Sequence, residues 1–553
     1  MIIKVRTEPK GVHKIIDIEA GSTIRDLIAM LEDEIKYSVV YAKMNNALVE
    51  ITTPIKENSE VEILDIRTQA ANLIYQNSLA LIYLRAIDEV LPGAKVVIDN
   101  PLNKGLYTEI KLDHKITQAE INKIDKEMRK LIALDLPFNK ETLTRETALE
   151  YFQNQGLDSR LKMLESNPDV EKVDIFSLDG YKDFFCGQMA LSTGYIKHFE
   201  LKKYKGGVLL RFPHPGLPDE IPEYVDEVKL YEAFEQQKEW DGLLGVEYVE
   251  DLNEKIDAGE LLDLVQLSEA LHEKRVAQVA DLITKHNKRI VLIAGPSSSG
   301  KTTFARRLCI QLRVNGLRPI YLGTDDYFVN RSDTPLDANG EKDYENLNAL
   351  DLKLFNKNMK DLIAGKEVDM PTYDFIKGEK IFGQKITKLD DDQLLVIEGI
   401  HALNEKLTEM IPHEQKYKIY ISPLTQLGID EHNRISTTDE RMLRRLVRDY
   451  QFRGYSAKET IKNWPKVRAG EDNNIFPYSG EADILFNSYH VYEIAVLKKY
   501  AEPLLREITR EDEEYADASR MLQFLQFFHA APDDSMIVNN SIIREFIGGS
   551  IFL

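Results

Sequence analysis

The sequence has few cysteines, no long apolar run and no excess of positive charge. Two cysteines among 553 residues, Cys186 and Cys309, exclude a disulfide framework and are too few for a cysteine-based zinc site. No apolar run approaches the ~18 residues of a membrane-spanning helix, and the start lacks the apolar core of a signal peptide. We therefore expect a soluble, cytoplasmic protein without a membrane partner.

The formal charge of the chain is −21, from 71 Lys and Arg against 92 Asp and Glu. An average field of this sign repels phosphate, so a diffuse basic surface for nucleic acid is disfavoured. Any bound anion must be captured by a local cluster of cations or backbone amides. The apolar fraction of 43% is that of an ordinary globular protein, and the length predicts several domains.

Pattern changes along the chain predict five regions: a small ubiquitin-like module, an α+β region, a helical connector, an α/β region and a helical tail. They span residues 1–66, 67–225, 226–285, 286–500 and 501–553. In the first region Ser22 or Thr23 can cap a helix that lies between short strands. The second region opens on a helix from Asn72 to Val90, which Leu91-Pro92-Gly93 ends.

The most informative stretch is a glycine- and serine-rich loop between an apolar β-branched run and a helix-compatible run. It fits the pattern G-x-x-x-x-G-K-[ST] in the strand–loop–helix context that this pattern requires. Such a loop surrounds phosphates with backbone N–H groups at a helix N-terminus. The predicted ATP-binding residues here are Gly295, Ser297, Ser298, Ser299, Gly300, Lys301, Thr302 and Thr303. Lys301 would neutralise the β- and γ-phosphates, and Thr302 would bind Mg²⁺.

Two acidic positions follow apolar strands in the same region. Asp325 comes after the strand Arg318–Leu322, and Glu398 follows the buried run that begins at Leu394. Ligands of open α/β sheets bind at the carboxyl ends of strands, so Asp325 could accept a substrate proton or orient Mg²⁺. An acid after a buried strand is costly unless it serves a metal or a partner, which makes Glu398 the second Mg²⁺ candidate. The alternative for Asp325 is an acid in an exposed turn.

A cluster of arginines follows on one predicted helix. Spacings of i, i+3, i+4 and i+7 place on one side the residues Arg441, Arg444, Arg445 and Arg448. Asp439, Glu440 and Asp449 could neutralise them locally, which is the structural alternative. After a phosphate-binding loop and two strand-end acids, the cluster favours phosphoryl transfer. A mobile arginine lid would then close over ATP and stabilise the charge on the transferred group.

At these residues the segment from about 286 to 500 resembles the uridine kinase and phosphoribulokinase family. The resemblance rests on the loop, on E-G-I at 398–400, on the arginine pattern of 441–454, on the P-x-Y-D-F-like segment of 371–375 and on A-D-I at 482–484. It implies a P-loop kinase with a parallel sheet flanked by helices. The cofactors implied are Mg²⁺ and ATP, with GTP as donor not excluded.

The resemblance also implies roles for individual residues. The catalytic set is Asp325, Lys301, Arg441, Arg444 and Arg448, while Arg445 and Arg453 join the loop in binding ATP. The metal set is Thr302, Glu398 and Asp325, and the substrate set is Asp325, Tyr327, Glu345, Tyr373, Phe375 and Arg441. Glu345 replaces the usual aspartate that contacts ribose, and Gly378 replaces a base-reading histidine. Uridine specificity therefore does not follow from the resemblance.

The N-terminal half has a resemblance of its own. Gly21–Asp26 and Asn45–Val49 look like a TGS domain of the β-grasp fold, the module that opens threonyl-tRNA synthetase. Residues 75–110 and 183–200 are similar to the editing domain of that enzyme. Its four site positions are here Asn77, Leu81, Phe185 and Met189, with Cys186 adjacent to the lost cysteine. Leucine, phenylalanine and methionine cannot supply metal ligands or proton transfer of the required kind, so we expect the editing fold without its site.

These observations lead to three hypotheses. The first is an ATP- and Mg²⁺-dependent kinase that phosphorylates the 5′-hydroxyl of a uridine- or cytidine-like nucleoside. The second keeps the kinase but takes another small alcohol, such as a sugar phosphate, because Glu345 and Gly378 depart from the family pattern. The third is an RNA- or nucleotide-sensing regulatory protein that acts through the N-terminal half. Assembly into a homo-oligomer is compatible with all three.

Overall fold

The computed structural model describes residues 1–9, 11–337, 340–374 and 376–552. Its first region is one mixed sheet and a short helix. The elements are β1 Ile2–Arg6, β2 Lys14–Asp17, α1 Ile24–Met30, β3 Val39–Met44, β4 Ala47–Val49 and β5 Ser59–Asp65. The strand order is β2-β1-β5-β3-β4, with β1 and β5 parallel and the other pairs antiparallel. Thr23 caps α1 in a reciprocal arrangement with Asp26, which decides between the two predicted caps.

The second region combines two antiparallel sheets with helices. Its elements are α2 Gln69–Val90, β6 Lys95–Leu102, β7 Gly105–Lys111, α3 Gln118–Ala133, β8 Asn139–Thr144, α4 Arg145–Gln155, α5 Asp158–Ser166, β9 Lys172–Leu178, β10 Tyr181–Phe184, β11 Glu200–Tyr204 and β12 Gly207–Arg211. The strand orders are β11-β12-β7-β6 and β10-β9-β8. Leu81, Phe185 and Met189 are buried in the apolar core between α2 and these strands. Three of the four editing positions thus serve packing.

Three helices connect this region to the next. They are α6 Val228–Leu244, α7 Val249–Asp257 and α8 Leu261–Lys285. Val276, Val279 and Ile283 of α8 are fully buried in a cluster shared with Phe304 and Leu308. The predicted connector is therefore part of the helical layer of the α/β region.

The α/β region is built on a five-stranded parallel sheet. Its elements are β13 Ile290–Ala294, α9 Lys301–Val314, β14 Arg318–Gly323, α10 Leu352–Ile363, β15 Val368–Asp374, β16 Glu379–Thr387, β17 Gln393–Glu398, β18 Lys416–Ser422, α11 Thr437–Phe452, α12 Ala457–Asn474, β19 Ile484–Asn487 and α13 Glu493–Arg506. The sheet order is β14-β17-β13-β18-β19, and β15 pairs with β16 as a separate hairpin. The predicted strands and helices of this region are confirmed.

Both faces of the parallel sheet are covered. Ile290 and Leu292 of β13 belong to the core on one face, while Val291 and Ile293 belong to the core on the other. A strand buried on both sides needs apolar residues at every position, which explains the continuous apolar run. Parallel strands bring their carboxyl ends to one edge, and the register pairs Glu398 with both Ile293 and Gly323 there.

The last region folds back onto the α/β region. It contributes α14 Tyr515–Leu525 and α15 Arg544–Ile547. Ile542 and Phe546 are fully buried against residues of α9 and the sheet. Among the described residues, no helix has both the length and the apolar character needed to cross a membrane.

Candidate active site

The phosphate-binding loop connects β13 to α9. Gly300 has φ +83° and caps α9, and a Cβ added there would overlap the side chain of Ile542. Glycine is therefore required at this position by backbone conformation and by space. Lys301 Nζ donates to the carbonyls of Gly295 and Pro296 at 3.0 and 3.1 Å. The lysine thus lies over the loop where phosphates would bind.

The electrostatics of Lys301 link the loop to the surrounding acids. Burial lowers the pKa of Lys301, and the nearby carboxylates of Glu398, Glu545 and Asp325 raise it again. Burial penalises an isolated ammonium, whereas opposite charges favour the charged form. A bound triphosphate would add negative charge at the same place.

Thr302 and Glu398 form the predicted metal pair. The Thr302 hydroxyl donates to Glu398 Oε1 at 3.0 Å, and the Tyr321 hydroxyl donates to the same oxygen at 2.9 Å. Burial raises the pKa of Glu398, Asp325 raises it further, and Lys301 opposes both. Mg²⁺ in nucleotide sites typically takes one or two protein oxygens and completes its shell with phosphate and water. The donor set fits that ion.

Asp325 lies in a single 3₁₀ turn directly after β14, at the sheet edge where Glu398 ends its strand. The Asp325 residue is exposed. The surrounding protein still displaces enough water to raise the pKa of Asp325, while Lys301 and Arg453 lower it. The carboxylate is therefore close to both cations and accessible to a substrate hydroxyl.

The arginines of α11 divide into two groups. Arg441 and Arg444 are buried, which differs from a mobile lid. Arg441 donates to the carbonyl of Ser297 at 3.0 Å and pairs with Glu471. Arg444 makes two bonds to Glu493, at 2.7 and 2.6 Å, and a longer one of 3.3 Å to the carbonyl of Ser298. Because buried carboxylates hold both guanidinium groups, these two arginines support the loop from behind.

The second group shares one acid, Asp449. Arg445 donates to the Ser297 hydroxyl at 2.7 Å, and Asp449 pairs with Arg445, Arg448 and Arg453 at 3.2, 2.7 and 3.6 Å. The Arg453 side chain is 52% exposed. Asp449 is thus the local partner that the structural alternative required. Arg445 is the member whose position beside a loop serine agrees with contact to a nucleotide.

The predicted substrate residues differ in placement. Tyr327 is fully buried, where its ring packs on Phe355 and its hydroxyl accepts from Asn358 at 3.1 Å. This position corrects the prediction that Tyr327 contacts substrate, because its apolar ring is enclosed in the core. Tyr373 is largely buried beside Phe328. Phe375 lies outside the described residues.

Glu345 and Gly378 occupy the two positions that depart from the family pattern. Burial raises the pKa of Glu345 to about 7, Glu471 adds to the rise, and Arg445 and Lys301 oppose it. Gly378 has φ +76°, and a Cβ there would lie 2.7 Å from Cβ of Arg331. A histidine would therefore be strained and would collide with an arginine side chain already in that space.

Two further carboxylates contact the loop and carry no sequence signal. Glu471 of α12 accepts from the backbone N–H of Ser297 at 3.0 Å. Glu545 of α15 accepts from the Thr303 hydroxyl at 2.8 Å and from the Thr303 backbone N–H at 3.3 Å. Both carboxylates therefore accept hydrogen bonds from backbone N–H groups of the kind that bind phosphate in P-loop proteins.

Comparison with known proteins agrees with this geometry. Residues 290–495 match the phosphoribulokinase/uridine kinase family. The chain carries a kinase domain of this family. Residues 3–65 match the TGS domain, so the mixed N-terminal sheet is a TGS domain. The P-loop assignment thus agrees with the match and with the parallel sheet.

The region between the TGS domain and the connector is homologous to threonyl-tRNA synthetase. Threonine–tRNA ligase 1 of Bacillus subtilis (strain 168) is 30% identical over 200 residues, which are 36% of this chain and 31% of the ligase. The ligase of Desulforamulus reducens is 25% identical over 186 residues, or 34% and 29% of the two chains. The chain therefore spans less than a third of the length of these curated relatives.

Two solved structures are each similar to part of the chain. A possible uridine kinase from Bacillus stearothermophilus has 17% identity and a TM-score of 0.28, covering 39% of this chain and 98% of its own. A D-glycerate 3-kinase from Cryptococcus neoformans has 14% identity and a TM-score of 0.20, covering 45% and 87%. The family assignment rests on the match over residues 290–495.

Proposed function

We propose that the protein transfers the γ-phosphoryl group of ATP to the 5′-hydroxyl of a nucleoside, with Mg²⁺ as cofactor. The observation that carries the proposal is the pair formed by Thr302 and Glu398, 3.0 Å apart, beside the loop that holds Lys301. A P-loop threonine next to a strand-end carboxylate is the donor arrangement that Mg²⁺ takes in phosphoryl transfer. Thr302 and Glu398 would hold the ion, which would supply charge neutralisation to the phosphates.

The residues of the cleft then have separate tasks. Lys301 and the loop amides hold the triphosphate, and Arg445 contacts its outer oxygens from the side of Ser297. Asp325 orients the substrate hydroxyl and receives its proton as the new phosphorus–oxygen bond forms, while the bond from the γ-phosphorus to the bridging oxygen breaks and ADP leaves. Glu345 faces the sugar diol as a hydrogen-bond acceptor once it is ionised. Positioning and electrostatics supply most of the rate enhancement in this class of reaction.

The test is turnover of a panel of nucleosides with ATP and Mg²⁺, with the monophosphate product identified by mass. Lys301→Ala should abolish turnover because it removes the cation over the phosphates. Lys357→Ala, on the exposed face of α10, is the matched control and should retain wild-type turnover. Absence of turnover for every nucleoside, with another alcohol accepted, would show that the substrate class is wrong.

A phosphorylated alcohol is the second candidate substrate. The observation that favours it is Arg331, whose side chain lies against Gly378 where the family carries a base-reading histidine. A guanidinium group binds phosphate better than it reads a neutral base edge. Arg331→Gln should then raise KM for a sugar phosphate at least tenfold and leave KM for nucleosides unchanged. A cytoplasmic location stays a prediction, while RNA contact through the TGS domain and homo-oligomer assembly stay open alternatives.

A further inference from the structure

A cavity of about 290 Å³ lies where four parts of the chain meet; we call it the junction cavity. Leu48 of the TGS domain, Asn77 of α2, Arg434 of the loop before α11 and Arg520 of α14 each form part of its wall. Its volume is near the lower end of the ~300–1,000 Å³ typical of small-molecule sites. The cavity is lined by residues other than those of the P-loop cleft.

The wall of the junction cavity is locally positive in an acidic protein. Three guanidinium groups, from Arg434, Arg510 and Arg520, line it together with a single carboxylate, that of Asp439. Arg520 pairs with Asp439 at 2.6 Å. The lining therefore has an excess of two positive charges in a chain whose formal charge is −21. A local concentration of positive charge in a protein of negative net charge favours binding of an anion.

Several N–H groups of these arginines lack acceptors. Among the described residues, Arg434 Nη2 and Arg520 Nε and Nη2 are buried and make no hydrogen bond. Arg434 uses only Nε, towards the carbonyl of Asp99 at 3.2 Å, and Arg520 Nη2 has one long ion pair of 3.8 Å with Asp517. Burial lowers the pKa of Arg434 to about 10. Buried donors without acceptors are costly, so a ligand that supplies acceptors would bind favourably.

The remaining wall suits a ring with polar edges. The amide residues Gln76, Asn77 and Gln188 are part of the lining, and so are the apolar residues Leu106 and Phe524. Arginine binds phosphate and carboxylate groups alike in a planar, two-point geometry, and phosphate brings the larger negative charge. A phosphate monoester carries about −1.5 to −2 at neutral pH, so it would attract these guanidinium groups.

We propose that the junction cavity binds a nucleoside 5′-monophosphate, with its phosphate on Arg434 and Arg520 and its nucleoside between the amides and the apolar wall. The site lies outside the proposed kinase cleft, and its occupation does not depend on kinase chemistry. The base is not fixed by the lining, so both a uridine and an adenosine monophosphate are used as probes.

An occupant would contact the start of the arginine helix. Ser436, the N-cap of α11, and Asp439 in its first turn both line the cavity. Two hydrogen bonds join the loop that leads to them to the synthetase-like region. The Asn433 side-chain amide donates to the Phe184 carbonyl at 3.0 Å, and the Ile98 N–H donates to the Glu431 carbonyl at 2.8 Å. Binding should therefore slow amide hydrogen exchange at the start of α11.

The test is calorimetric titration of the full-length protein with uridine and adenosine 5′-monophosphates. Lys301→Ala controls for binding in the P-loop cleft, and Arg506→Gln, an exposed arginine of α13, is the matched charge control. Arg434→Gln should weaken binding of at least one probe tenfold or more, and the two controls should leave it unchanged. Loss of binding in Lys301→Ala with retention in Arg434→Gln would overturn the proposal. Absence of binding of both probes to the wild type at millimolar concentration would overturn it too.

A second variant protects the test against misfolding of Arg434→Gln. Ser519 lines the cavity from an exposed position on α14, so Ser519→Phe fills the space without disturbing the core. This substitution should also weaken binding of the probe tenfold. It should abolish the slowing of amide hydrogen exchange at the start of α11. Unchanged binding in Ser519→Phe would contradict the assigned site. Tighter binding of a short oligoribonucleotide, lost in Arg434→Gln, would overturn the assignment to a mononucleotide.

Discussion

The Glu545 carboxylate accepts hydrogen bonds from the two donors of Thr303, and a bound nucleotide would need the same donors. This carboxylate accepts from the Thr303 hydroxyl at 2.8 Å and from the Thr303 N–H at 3.3 Å, and it adds to the electrostatic environment of Lys301. Phosphates in P-loop proteins bind backbone N–H groups of the loop and of the helix N-terminus that follows. A nucleotide must therefore displace Glu545 before its phosphates reach Thr303.

The substitution Glu545→Gln measures this competition. A hydrogen bond to a charged group contributes about 1.5–3 kcal/mol and a neutral one about 0.5–1.5 kcal/mol. The substitution should therefore weaken the contact between residue 545 and Thr303 by roughly 1–1.5 kcal/mol. Every ~1.4 kcal/mol is a factor of ten in affinity. We expect MgATP to bind about tenfold more tightly to Glu545→Gln, since glutamine keeps the shape of the side chain and removes its charge.

The assay is equilibrium binding of a non-hydrolysable ATP analogue with Mg²⁺, measured by calorimetry at fixed salt. Glu507→Gln, an exposed position after α13, is the matched control for the loss of one negative charge and should leave the dissociation constant unchanged. Equal or weaker binding in Glu545→Gln would refute the competition. An equal gain in Glu507→Gln would mean that general charge, rather than the contact with Thr303, sets the affinity.

Three further predictions concern the metal pair and two perturbed acids. Glu398→Gln should lower turnover about 100-fold, because several kcal/mol of charge stabilisation by the metal are lost; unchanged Mg²⁺ dependence would contradict this. The pKa of Glu345 is raised to about 7, so kcat/KM should rise up to about tenfold between pH 6 and 8, and Glu345→Gln should flatten that profile. Burial raises the pKa of Asp241 in α6 to about 8. The folded state then binds this proton more tightly than the unfolded state, so this group reduces stability as pH rises from about 4 to 8. Asp241→Asn should therefore raise the denaturation midpoint over wild type by an amount that grows from pH 5 to pH 8, and a pH-independent difference would refute this.

Much of the fold was predictable because local patterns are strong in this chain. The continuous apolar run of β13 required a strand covered on both faces, and the glycine-rich loop after it required a helix N-terminus. The family resemblance, the TGS domain and the homology to threonyl-tRNA synthetase are confirmed by the comparisons. The parallel sheet was predicted, and its observed register pairs Glu398 with Gly323. Roles of individual cleft residues stay predictions.

Helical spacing alone could not predict which arginines of α11 reach the cleft. It placed Arg441 and Arg444 on the same side as Arg445, yet two buried carboxylates, Glu471 and Glu493, hold the first two behind the loop. These partners lie 30 and 49 residues further along the chain. Spacing on one helix gives the direction of a side chain, whereas packing against other elements decides what it meets.

The sequence by itself determined the loop, the strand-end acids and the order of the domains, since each depends on residues close together in the chain. Only the tertiary structure decided that Glu545 contacts Thr303, 242 residues away, and that Arg331 fills the space beside Gly378. It also decided that four distant segments enclose the junction cavity. Such contacts arise when separate apolar surfaces are buried together, and no local periodicity records which surfaces will meet.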